Sequence, residues 1–102
     1  MQQLYLFQYS PGPMWREGVP MREQGLGGHA AYMQQLLTEG RLFAAGGYAS
    51  DDGGMAIVMA ASLDEARAML AADPAMTGGI FVAELRHWSP RFRVETPLPA
   101  GR

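Results

Sequence analysis

Apolar residues recur along this chain at two different periods, and the periods alternate. Residues 4–9 (LYLFQY) form a short aromatic and aliphatic run of the strand type. Within residues 25–40, by contrast, Leu26, His29, Ala30, Met33, Leu36 and Leu37 fall three and four apart, which is one face of a helix. Gly40 stands where a left-handed residue would end that helix. Residues 41–48 (RLFAAGGY) and 55–60 (MAIVMA) return to strand character on either side of Ser50-Asp51-Asp52-Gly53-Gly54, a turn by its composition. Ser62-Leu63-Asp64-Glu65 then has the form of a capping box, and Leu63, Ala66, Met69 and Leu70 supply the stripe of a second helix. Pro74 ends it near Ala72 by disfavouring helical geometry at Asp73. Residues 80–88 (IFVAELRHW) alternate apolar and polar as a half-solvated strand does.

The resulting order, β-α-β-β-α-β with right-handed crossovers, predicts an α+β ferredoxin-like sandwich of four antiparallel strands covered by two helices on one face. A chain of 102 residues is enough for one such domain, expected over residues 1–95 with a short proline-containing tail at 96–102. Residues 92–94 are a candidate short extended segment. The first and third strands are apolar at both parities, so the sheet face turned away from the helices should remain hydrophobic. Charged residues are only 18% of the chain, against a usual share of about 25%. Both features predict a homodimer packed sheet to sheet, a dimeric α+β barrel.

The same composition narrows the function. Eight Lys and Arg against ten Asp and Glu leave no basic stripe for a phosphate backbone, so nucleic acid is not an expected partner. Cysteine is absent, which removes disulfides, a thiol nucleophile and thiolate metal sites. The N-terminal MQQLYLFQYSPG lacks the features of a signal peptide, and no apolar run approaches a bilayer span, so a cytoplasmic protein without membrane contact is expected. GLGG at 25–28 lacks the spacing of a phosphate loop, and the chain contains no lysine. No cofactor is expected, and the scattered His and Asp residues lack metal-ligand spacing.

Chain direction locates a candidate site. If the first strand runs upward, the top edge of the sheet collects the proline-rich segment 10–24, the start of the first helix with His29, the Asp51-Asp52 turn, and Asp73. His87 and Trp88 run to the opposite edge. The segment 10–24 is about fifteen residues long and carries Trp15, so it reads as a binding loop or lid.

The stretches YSPGPMWREGVPMREQ, HAAYMQQLLTEGRL, AAGGYASDDGGMAIV and ADPAMTGGIFVAELRHWSP, in that order, resemble the YCII-related (YciI-like) family over nearly the whole chain. The resemblance implies a ferredoxin-like dimeric α+β fold. It also implies a His–Asp active site, and the family includes a dehydrochlorinase acting on a chlorinated hydroxyhydroquinone. By position the family histidine matches His29, its aspartate matches the Asp51-Asp52 turn with Asp51 preferred, and Asp73 matches the aspartate of an Asp-Pro segment. Tyr48 stands where a proline often follows the glycines of the family pattern.

Two functional expectations follow. In the first, the chain is a small-molecule enzyme with His29, Asp51 and Asp52 as catalytic residues and Trp15, Tyr48 and Asp73 binding a small aromatic or phenolic substrate. Imidazole exchanges protons near neutral pH, and a carboxylate on its other nitrogen fixes the tautomer. In the second, the dimer is a non-catalytic ligand-binding or accessory module. Turnover that depends on His29 separates the two.

Overall fold

A strand that is apolar on both faces has to sit inside a sheet, and β1 (Gln3–Pro11) does. In the computed structural model, which describes residues 2–94, it lies between β3 (Gly54–Ala60) and β4 (Phe81–Trp88), antiparallel to both. The strand β2 (Leu42–Gly47) pairs with the outer side of β3, so the sheet order is β2-β3-β1-β4. Three helices complete the fold: α1 (Gly27–Thr38), α2 (Leu63–Ala71) and the single-turn α3 (Pro74–Thr77). This is a small α+β fold of the ferredoxin-like kind.

The helix-facing side of the sheet holds the core. Tyr5, Phe7 and Tyr9 of β1 alternate inward, as do Ala56, Val58 and Ala60 of β3. Met33 and Leu36 of α1, and Ala66, Met69 and Leu70 of α2, close over them. Each fully buried large side chain contributes about 1.5–3 kcal/mol through its apolar area. Both helix ends are built as their residues suggest. The Ser62 hydroxyl accepts from the Glu65 amide at 3.1 Å, and Gly40, at φ 74°, lets the Arg41 amide reach back to the Leu36 carbonyl at 2.8 Å.

Four details differ from the sequence reading. The strand β1 runs on to Pro11, which pairs with Phe81. Asp73-Pro74 does not merely end α2; it starts α3, with Asp at the N-cap and Pro in the first turn. Residues 92–94 form no strand, and Phe92 and Val94 are exposed. Of the expected helix stripe, Ala30 and Leu37 are exposed rather than packed in the core. The expected tail at 96–102 lies outside the described residues. No helix among the described residues is long and apolar enough to cross a membrane.

Candidate functional site

The short helix α3 begins where α2 ends, and its N-cap is the starting point of the site. Asp73 is fully buried, and its Oδ1 accepts from the Ala75 amide at 2.9 Å, satisfying one of the orphan donors of the helix start. That leaves Oδ2 to face α1. Glycine at position 28 permits the approach, because a Cβ there would sit 3.1 Å from the Pro74 side chain. His29, in the first turn of α1, is thereby brought against Asp73, with Nδ1 and Oδ2 2.7 Å apart.

A third side chain meets the same oxygen. The Tyr9 hydroxyl, at the upper end of β1, donates to Asp73 Oδ2 at 3.0 Å. Burial first, and the adjacent Asp73 carboxylate second, hold the Tyr9 phenol above its ordinary value near 10, so it stays a donor. The rings are fitted to one another as well. Tyr9 stands edge-on to His29 with centroids 5.1 Å apart, and Phe81 of β4 lies 5.7 Å from His29 in the same edge-on manner. Because a carboxylate with these donors is an acceptor, the His29 proton belongs on Nδ1. Nε2 has no hydrogen-bond partner among the described residues, and the side chain keeps 19% of its surface accessible.

His29 lines a cavity of about 740 Å³ between α1 and the β2–β3 hairpin. Leu26, Ala30, Met33 and Leu37 form its helical wall, and Tyr9 and Phe81 its inner end. This explains the exposed members of the α1 stripe: Ala30 and Leu37 are apolar because they face a hollow rather than the core. Arg22, Gln34 and Asp51 are the polar side chains at its margin. A largely apolar hollow with few polar groups and one imidazole is suited to a small flat organic molecule.

The two hairpin aspartates are placed differently from the expectation. Asp51 lines the cavity, but its Oδ2 accepts from the Met21 amide at 3.0 Å, and its backbone is held at φ 62°. It ties the single 3₁₀ turn Met21–Glu23 of the long loop to the hairpin. Asp52 is exposed and bonds to the Ser50 hydroxyl. The acidic partner of His29 is therefore Asp73, and neither hairpin carboxylate occupies that place. Trp15 stacks on Phe81 with centroids 5.8 Å apart and buttresses it without lining the cavity. Tyr48 closes the hairpin through its amide bond to the Gly53 carbonyl and also lies off the cavity wall.

Sequence reasoning missed two participants. Tyr9 could have been found, since it shares the parity of Tyr5 and Phe7 and stands two residues before the strand's end at the rim. Gln24 carried no such signal. It is buried, and its amide takes Arg16 N while donating to the Arg16 and Val19 carbonyls, so the long loop is an ordered turn built around one side chain.

The model of the YCII-related domain matches residues 1–89. The chain belongs to the YCII-related family. Among solved structures, this YCII-related chain is similar to a 5-chloro-2-hydroxyhydroquinone dehydrochlorinase from Burkholderia phenoliruptrix AC1100, in complex with 2,5-dihydroxybenzoquinone. The two are 23% identical, with a TM-score of 0.63 over 84% of this chain and 93% of that one, a likeness of fold. Among curated proteins, none matches.

Proposed function

We propose that this YCII-related protein is a small-molecule enzyme in which Nε2 of His29 moves a proton on a small aromatic or phenolic substrate bound between α1 and the β2–β3 hairpin. The observation that carries the reading is the 2.7 Å contact between His29 Nδ1 and the buried Asp73, on the wall of an apolar cavity. Asp73 orients the ring and offsets the charge the imidazole gains when Nε2 accepts a proton. Asp51 enters as a support of the loop over the site. The dihydroxybenzoquinone bound to the structurally similar dehydrochlorinase, a small flat hydroxylated ring, supports the substrate class.

Assembly belongs to the same reading. The sheet face turned away from the helices carries Leu4, Leu6, Ile57 and Met59, continued by Val82 and Trp88 on β4. Val82 and Trp88 are exposed in the single chain. We infer that two copies cover this face in one another.

The experiment is a panel of hydroxylated and chlorinated benzenes and quinones, followed by absorbance and by chloride release. Conversion of one member that falls by about 10² or more in His29→Ala is the expected result. Turnover unchanged in that variant would overturn the reading. Binding without conversion across the panel would favour the non-catalytic module.

A further inference from the structure

We infer that Tyr9 is a positioning residue whose hydroxyl, by sharing Asp73 Oδ2 with His29 Nδ1, sets how strongly the carboxylate draws a proton onto the imidazole. This rests on the reading of His29 as the proton-transferring group. Packing at this position does not need the hydroxyl. The Tyr9 ring packs against Phe7, Phe81 and His29, contacts a phenylalanine ring would make equally well. A phenol at a position only 3% exposed would be left unsatisfied if it had no acceptor, and the acceptor it finds is the one oxygen that also holds the imidazole.

Two donors on one carboxylate oxygen compete. Each withdraws electron density from Oδ2, so the hydroxyl at 3.0 Å weakens the pull of Asp73 on the proton 2.7 Å away. The Ala75 amide is engaged with Oδ1 and leaves this competition untouched. Asp73 has no Lys or Arg partner among the described ion pairs, so Tyr9 and His29 are the groups that govern its outer oxygen. Among the described residues, the other titratable or charged side chains near the cluster are Tyr32 of α1, whose hydroxyl donates to the Met69 carbonyl, and Arg22 and Asp51 at the cavity margin. Gly54 of β3 is the strand partner of Tyr9, and Phe81 of β4 packs on both Tyr9 and His29, so neither strand brings a charge to these contacts.

The test is an NMR titration of the His29 ring in ligand-free protein, in wild type and in Tyr9→Phe. Removing the competing donor should shift the titration midpoint of His29 upward relative to wild type. The acid limb of the rate profile should move with it. Replacing Tyr9 by 3-fluorotyrosine, a stronger donor of nearly the same shape, should lower the midpoint, which keeps the test valid if Tyr9→Phe folds poorly. A hydroxyl with only a packing role would leave the midpoint where it is in both proteins, and that result overturns the inference. Because this readout requires no turnover, it stands apart from the His29→Ala assay: a moved midpoint with no catalysis would retain the coupling and discard the enzyme.

Discussion

His29 and Asp73 lie 44 positions apart in the chain and meet through a 2.7 Å contact between Nδ1 and Oδ2. Two helix starts are brought together by this pair, because the same carboxylate caps α3 while it holds the ring on α1. The helix cap and the contact with His29 fall on different oxygens of one residue, and they can be separated by substitution.

Asp73→Asn is the substitution that separates them. Asparagine caps a helix about as well as aspartate, so the fold should survive with a loss of about 1–2 kcal/mol from the weakened buried hydrogen bonds. An amide turned toward His29 donates to Nδ1 and forces the ring proton onto Nε2, where no base is then available. Turnover should fall by about 10² to 10⁴. Long-range proton–nitrogen NMR of the ring should record the change of tautomer even without a substrate, and an unchanged tautomer would contradict the assignment.

Stability should decline in alkali for a reason located in two tyrosines. Burial holds the phenols of Tyr9 and Tyr32 above their ordinary value near 10, with the Asp73 charge adding to the effect at Tyr9. A group whose folded value is raised contributes fully below its unfolded value and loses that contribution as the pH rises past it, because the unfolded chain then releases protons the folded one keeps. Urea midpoints should therefore be flat up to about pH 9.5 and fall above about pH 10. In Tyr9→Phe the fall should be shallower, and an equal slope would show that Tyr9 is not the source.

Leu6 sits mid-strand on the open face, opposite Ile57 of β3 and Arg86 of β4. In a sheet-to-sheet dimer, Leu6→Lys would bury a second cation directly beside Arg86, and affinity should drop by about 10² or more. Sedimentation equilibrium at micromolar concentration should find a dimer for wild type and a monomer of unaltered circular dichroism for the variant. A monomeric wild type would remove the proposed interface.

Local pattern was enough for most of the architecture. The three-and-four spacing from Leu26 to Leu37, the Ser62–Glu65 box and the alternation of residues 80–88 each reflect a choice the backbone makes over a few residues, and each element formed. Their order also brought His29, Asp51 and Asp73 to the rim below the long loop, since strand and helix directions follow from connectivity alone. Which aspartate reaches the imidazole was decided by tertiary structure. The direction of a turn carboxylate depends on its own φ and on nearby amides, and Asp51, at φ 62°, is taken by Met21 from 30 positions away. Asp73 has an Asp-Pro signature that reads equally as a helix end or a helix start, and only the approach of α1 over Gly28 shows what its free oxygen meets. Likewise Ala30 and Leu37 carry the same pattern as core residues, but they line a cavity, because among the described residues none fills the gap between α1 and the hairpin. Periodicity records which face of an element avoids water; what that face finds there is a property of the assembled layers.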